Sequence, residues 1–301
     1  MIGRPLELAD AVSLKPFFDA QRYPLSVYSL LSVMAWRRAD GFEVSFAVLD
    51  DLLVLAAEGA EERHLVLPIG PRAPSLRELR TAAERFGFGE YRYVPRDFLA
   101  AFPDAEVRAG FEVRERPEWA EYIFLAEDLA QLKGRKLAAK RNLIHQFESV
   151  YVETGRATAG PLRPEDVGEC VAFLDAWCEE RGCEDGDHQP LACEKRAAGA
   201  ALREMHELGA EGVAIRVDGR VVGFGIGHRV TGGLAALHFE KAFASIKGLY
   251  QYLDRECVRR LFRGRFELVT KESDMGLPGL ARSKQSYCPL SKTAAFELSL
   301  R

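Results

Sequence analysis

The chain has no C-x-x-C pair, no G-x-S-x-G nucleophile turn, no Walker loop and no zinc-type ligand spacing. The commonest signatures of redox, serine-hydrolase, nucleotide-binding and zinc chemistry are therefore missing. All six cysteines lie in the second half: Cys170, Cys178, Cys183, Cys193, Cys257 and Cys288. Cys178, Cys183, His188 and Cys193 are close in sequence, but their spacing fits no zinc pattern. They read as reduced cysteines, some in helix cores. No apolar run approaches the roughly 20 residues of a membrane span. The best candidate, Phe46 to Ala57, is broken by Asp50-Asp51, which reads as a hairpin turn. The first residues lack a signal-peptide core, so a cytoplasmic location is expected. Positive charge is not in excess: the formal net charge is −4. That argues against nucleic-acid binding spread over the whole surface and leaves only a local basic patch.

What is present suits a protein with a real core. Hydrophobic residues make up 48% of 301 residues, enough for one large domain or two medium ones. The first 40 residues read as mainly helical. Residues 42–49 and 52–57 read as strands, and His64 to Ile69 as a third. Ser75 with Glu78 forms a capping box for a helix that Gly87 ends. Tyr91 to Val94, Phe111 to Arg116 and Tyr122 to Leu125 read as strands, and a basic helix follows over about 134–148. The second half predicts helices over 163–182 and 191–208. Strands at 213–217, 221–229 and 234–239 come next, the first two joined by Asp218-Gly219. A helix over 248–262, a strand at 266–270, a short helix at 279–287 and a closing strand at 293–298 complete the chain. A mixed sheet with helices on both faces fits this order. The first half repeats the theme loosely, which suggests two units, 1–154 and 155–301, joined near Gly155 and Gly160. No residue-level repeat is visible.

Several separated segments carry a family resemblance. They are Leu237-His238-Phe239-Glu240-Lys241, Lys247-Gly248-Leu249-Tyr250-Gln251, the run from Lys271 to Leu280, and Ser283-Lys284-Gln285-Ser286-Tyr287. Upstream they are joined by Tyr28 to Trp36, Phe124 to Leu129, Lys133-Gly134-Arg135-Lys136 and Arg141-Asn142. In this order they resemble the family related to the C-terminal domain of phosphatidylglycerol lysyltransferases. The resemblance covers nearly the whole chain. It implies an α/β fold of two tandem GNAT-like (Gcn5-related acetyltransferase) domains. It further implies kinship with Fem-type transferases, which take an aminoacyl group from aminoacyl-tRNA.

Against that frame, four constellations are candidates for chemistry. In acetyltransferases the strand-to-helix turn that corresponds to Glu240 to Gln251 here carries Q/R-x-x-G-x-G/A and holds the cofactor pyrophosphate on backbone N–H groups. Here it reads Ser245 to Tyr250. Only Gly248 fits, Tyr250 stands where a small residue is wanted, and Lys247 remains as an anion ligand. A second group is acidic and basic: Glu240 and Lys241 after one strand, Glu272 and Asp274 after another. If the strand ends converge, a carboxylate near a lysine is suited to take the amine proton in acyl transfer. The alternative is a structural salt-bridge cluster. A third group is Arg282, Lys284 and Tyr287, with Tyr287 the general-acid candidate that the resemblance implies. The fourth is the face formed by Lys133, Lys136 and Lys140, broadened by Arg135 and Arg141, which suits RNA phosphates or simply faces water. His238 reads as a buried, hydrogen-bonded histidine, with a base role as the alternative.

The combined expectation is a metal-free acyltransferase in which donor and acceptor meet near Glu240, Lys241, Asp274 and Tyr287. The favoured co-substrate is aminoacyl-tRNA. The acceptor is an amine or hydroxyl on a small molecule, a peptide or a lipid headgroup. Acetyl- or acyl-coenzyme A is the second donor, and a non-catalytic anion-binding module on the same fold is the rival of another class.

Overall fold

The structure, a computed structural model, describes residues 2–38, 41–59, 62–182 and 189–301, with only the backbone for 189–192. Cys183 and His188 lie outside the described residues.

Strands β1 (Arg4–Pro5), β2 (Glu43–Leu49), β3 (Leu52–Glu58), β4 (Arg63–Val66), β5 (Glu90–Pro95) and β6 (Phe111–Glu115) come from the first half. So does β7 (Glu121–Leu125). The second half supplies β8 (Ala157–Pro161), β9 (Glu211–Val217), β10 (Arg220–Arg229), β11 (Leu234–Ala242), β12 (Leu268–Ser273), β13 (Ser291–Thr293) and β14 (Ala295–Leu300). The helices, in chain order, are α1 (Ala11–Ala20), α2 (Leu30–Trp36), α3 (Leu76–Phe86), α4 (Arg96–Leu99), α5 (Asp104–Gly110) and α6 (Ala126–Gln131). They continue with α7 (Ala138–Phe147), α8 (Val167–Arg181), α9 (Gln189–Glu204), α10 (Leu249–Cys257) and α11 (Pro278–Gln285).

Local signals account for many of these bounds. Ser75 caps α3 through the backbone N–H of Glu78, whose own side chain returns to the cap. Gly87 and Gly182 end α3 and α8 with φ of 70° and 63°, where a side chain would be strained. The Asp218-Gly219 turn closes the β9–β10 hairpin at φ of 50° and 82°.

The strands form two seven-stranded sheets, in the orders β1-β2-β3-β4-β5-β14-β6 and β8-β9-β10-β11-β12-β7-β13. Set side by side, the two orders match position for position. In each, the fourth and fifth strands are the parallel pair (β4 with β5, β11 with β12) and the other pairings are antiparallel. The two sheets thus form a topological repeat. The sixth place in each sheet is exchanged: β7 enters the second sheet between β12 and β13, and β14 enters the first between β5 and β6. Residue 154 lies between β7 and β8, and neither side of that cut owns a complete sheet. The sequence predicted one closing strand at 293–298, whereas the structure has two, β13 and β14, in different sheets.

A large apolar core joins the units. Leu31, Met34, Leu53, Tyr91 and Leu298 of the first sheet's layer cluster with Trp177, Leu202, Phe224 and Phe239 from the second. Beside it, Arg37 and Glu204 form a two-pronged ion pair with both bonds at 2.7 Å, tying α2 to α9.

Candidate active site

β11 and β12 run parallel and pair only through Leu234–Leu268, Ala235–Val269 and Ala236–Thr270. Beyond these residues no pairing joins the two strands, and the gap opens at their C-terminal ends, where open α/β sheets bind ligands. Both strands are bulged there. His238 is an extra residue between Leu237 and Phe239, which pair with Gly227 and Ile226. Lys271 and Glu272 together face Tyr122, because Thr270 pairs with Ile123 and Ser273 with Glu121. Glu272 also has φ of 62°. Bulges re-aim side chains and concentrate beside functional sites.

One side of the gap holds a buried charged cluster. Lys271 Nζ lies 2.8 Å from Asp254 Oδ2 and 3.2 Å from Glu240 Oε2. The Tyr287 ring is covered by two ammonium groups, Lys140 at 4.1 Å and Lys271 at 4.7 Å from its centre. Burial pushes the Glu240 carboxyl up to about 7; Lys271 opposes this and Asp254 reinforces it. Burial also raises the Tyr287 hydroxyl well above its ordinary range, with Asp254 and Glu240 adding to the effect. The Lys140 ammonium is held below its usual value by desolvation and by Lys271. Near neutral pH the cluster thus offers a carboxylate able to accept a proton, a fixed cation and a protonated phenol.

The remaining expected residues lie in several places. Lys241 points to the opposite side of β11, where it pairs with Glu194 and sits 4.6 Å above the Trp177 ring. Adjacent strand residues face opposite ways, so Glu240 and Lys241 do not share a site. Glu272 receives His238 Nδ1 at 2.8 Å. Asp274 is enclosed by the Tyr122 hydroxyl at 2.6 Å, the Gly276 N–H at 3.0 Å and Lys292 Nζ at 3.1 Å, and it is held below the usual carboxylate range although burial opposes this. Lys284 donates to the carbonyls of Lys271 and Ser273 and bridges the end of β12; burial lowers its ammonium to about 8. Arg282 is exposed.

The turn before α10 is filled by the protein itself. The N–H groups of Ala244 and Ser245 donate to the Glu180 carboxylate at 2.9 and 3.2 Å. Gly248 has φ of 82°, and a Cβ there would stand 2.0 Å from the Leu143 carbonyl oxygen. This glycine serves the close approach of α7 to α10. Tyr250 accepts from Trp177 Nε1 at 3.2 Å, and Lys247 is exposed.

The basic helix differs from its expected form. Gly134 has φ of 89°, a 3₁₀ turn spans Arg135–Leu137, and α7 begins only at Ala138. Lys133, Lys136 and Lys140 therefore do not share one helical face. Lys133, Arg135 and Lys136 are exposed, Arg141 ties back to the carbonyls of Leu132 and Gly134, and Lys140 turns inward onto Tyr287.

Three residues of the site were missed from sequence. Asp254 sits in an amphipathic helix beside Leu253, where an acid reads as solvated. Lys271 adjoined the acids that drew attention, and Ser29 lies 209 residues from its partner His238. Among the described residues, no three His, Cys, Asp or Glu side chains are set to hold a metal, and no helix is long and apolar enough to cross a membrane.

A family model described as "Phosphatidylglycerol lysyltransferase, C-terminal" matches residues 21–294. The chain belongs to this family. A conserved protein of unknown function from Bacteroides thetaiotaomicron is 28% identical with a TM-score of 0.89, and each chain is covered in full. The C-terminal domain (DUF2156) of a putative lysylphosphatidylglycerol synthetase from Agrobacterium fabrum is 12% identical with a TM-score of 0.67, over 97% of this chain and 92% of that one. L-PGS from Bacillus licheniformis has the same identity and TM-score, over 99% and 93%. At 12% identity the likeness establishes the fold. No curated protein matched the chain. Family and fold together support an acyltransferase of the lysylphosphatidylglycerol-synthetase type.

Proposed function

We propose that this protein transfers an aminoacyl group from aminoacyl-tRNA to an amine or hydroxyl acceptor at the Glu240–Asp254–Lys271–Tyr287 cluster. The observation that carries the choice of donor is the turn before α10. The N–H of Ser245, which opens the phosphate-turn frame, and that of Ala244 before it are already given to Glu180, and Leu143 covers Gly248 within the frame. The exposed Lys133, Arg135 and Lys136 beside α7 supply a short basic patch for RNA phosphates. The acceptor class is a small molecule, a peptide or a lipid headgroup.

In this reading Glu240 takes the proton from the attacking amine or hydroxyl. The acceptor attacks the aminoacyl ester carbonyl, and the ester C–O bond breaks. Tyr287 passes its hydroxyl proton to the departing ribose oxygen and is restored by the proton that Glu240 took up, while Lys271 steadies the negative charge that develops. Asp274 and Lys284 hold the end of β12 in place, and Glu272 belongs to the neighbouring His238 pair.

Aminoacyl-tRNAs labelled in the amino acid, incubated with the chain and a mixture of candidate acceptors, are expected to lose label faster than by hydrolysis. Loss from none of the amino acids sinks the reading. Tight acetyl-coenzyme A binding by calorimetry favours the coenzyme donor instead. In Glu180→Ala the freed N–H groups should strengthen pyrophosphate binding; equal binding would mean the turn is closed for another reason.

A further inference from the structure

A second constellation lies on the other side of the same gap. Ser29 Oγ is 2.8 Å from His238 Nε2, and His238 Nδ1 is 2.8 Å from Glu272 Oε1. For a neutral imidazole beside an ionised Glu272, one tautomer serves both partners. Glu272 accepts from Nδ1–H, which leaves Nε2 as the acceptor. Ser29 Oγ accepts the Ser32 N–H at 3.1 Å, and with Nε2 unprotonated its own hydroxyl hydrogen points to Nε2. The order hydroxyl, imidazole, carboxylate is that of an activated serine nucleophile. Both supporting residues are placed by bulges, and Glu272 holds a left-handed backbone that non-glycine residues rarely adopt. Ser29 comes from the first unit and the other two from the second, so the constellation exists only when the units are joined.

Ser29 also belongs to the wall of a cavity of about 140 Å³, together with Phe18, Tyr28, Leu30, His228 and Arg229. This volume suits a short acyl or aminoacyl group. His228 stands in the same wall, with burial keeping its ring neutral by lowering it to about 4.

We propose that Ser29 is a nucleophile, activated by His238 and oriented through Glu272, that attacks the carbonyl of a short carboxylic ester held in this cavity. The Oγ–C bond forms as the ester C–O bond breaks. The hydroxyl proton passes to His238 Nε2 and from there to the departing alkoxide. Water or an amine then takes the acyl group from Ser29 and restores the hydroxyl. This activity goes beyond the transfer reading and needs no tRNA.

The test is covalent labelling of the full chain with a fluorophosphonate, followed by intact mass and peptide mapping. The probe loses fluoride to a serine oxygen only when that oxygen is activated. One adduct on Ser29 is expected, absent in Ser29→Ala and formed about 100-fold more slowly in His238→Gln. No adduct on the wild-type chain, or an adduct confined to another residue, overturns the proposal. So does an unchanged rate in a folded His238→Gln protein. If His238→Gln does not fold, Glu272→Gln replaces it: slower labelling supports the proposal and an equal rate overturns it. Because the probe replaces the donor, the result is independent of whether aminoacyl-tRNA is the substrate.

Discussion

Lys271 Nζ lies 2.8 Å from Asp254 Oδ2, with the Asp254 side chain buried and that of Lys271 only 11% exposed. Glu240 shares the same ammonium at 3.2 Å, so one cation serves two carboxylates. Burial above all, with Asp254 adding to it against Lys271, is what makes a protonated Glu240 accessible near neutral pH. Removing the cation strands both acids. Lys271→Met should lower unfolding free energy by about 3–5 kcal/mol. Adding Glu240→Gln and Asp254→Asn to it should recover most of the loss. Urea unfolding of the three proteins checks this, and a Lys271→Met variant as stable as wild type would remove Lys271 from its central place.

The same arrangement sets a pH dependence for catalysis. Glu240 acts as a base only when ionised, and its carboxyl is pushed up to about 7. Transfer should therefore rise with pH through about 7 and level off above it. Glu240→Gln should lower kcat about 100-fold or more and remove that rise. An unchanged pH profile in the variant would assign the base to another group.

Stability should run the other way. Glu121 is buried, accepts from Ser26 and Thr270, and is also pushed up to about 7, chiefly by burial with Glu272 adding to it. A carboxyl whose folded value is raised binds its proton more tightly in the folded chain. Its contribution is complete below the unfolded value near 4.5 and is lost as pH rises through about 7. Glu121 and Glu240 both titrate this way, while the buried His64 and His228, lowered to about 4, act in the opposite sense up to about pH 6.5, so the thermal midpoint should fall between pH 6.5 and pH 8 by calorimetry. Glu121→Gln should flatten part of that slope, and an identical slope would show that Glu121 does not titrate with folding.

The elements were easier to read from sequence than their convergence. Ser75 with Glu78, Gly87, Gly182 and Asp218-Gly219 act through neighbours in the chain, so local chemistry announced them. Glu240 and Tyr287 were recognised, and the structure brings them to one cluster. Lys241 was read as their companion because it is adjacent in sequence, yet strand alternation sends it to Trp177. Asp254 gave no signal, since only the third dimension places Lys271 against that turn of α10. Gly248 matched a phosphate-binding pattern for a different physical reason, the pressure of Leu143. Gly134 interrupts the basic run with a left-handed turn, which charge spacing alone did not register.

The packing role of Gly248 is open to direct test. A methyl group there meets the Leu143 carbonyl at 2.0 Å, and the φ of 82° is unfavourable for alanine. Gly248→Ala should destabilise the protein by about 3 kcal/mol, read as a lower urea midpoint with an unchanged slope. A variant within about 0.5 kcal/mol of wild type would mean α7 yields easily, and the turn would again be open to a phosphate.

The exchanged strands make the strongest demand on the whole molecule. β14 is the last element of the chain, yet it pairs with both β5 and β6 inside the first sheet and buries Ala295 and Leu298. Ending the chain after Ala294 removes an interior strand and leaves two rows of backbone N–H and C=O groups without partners. The damage should appear in the first unit, although the deletion lies in the second. Rapid proteolysis within 43–115 and loss of near-ultraviolet dichroism are expected, whereas trimming Arg301 alone should be silent. Residues 1–154 expressed alone should fail in the same way, lacking β14. A compact, protease-resistant 1–154 fragment would show that the exchange adds to a sheet already stable without it.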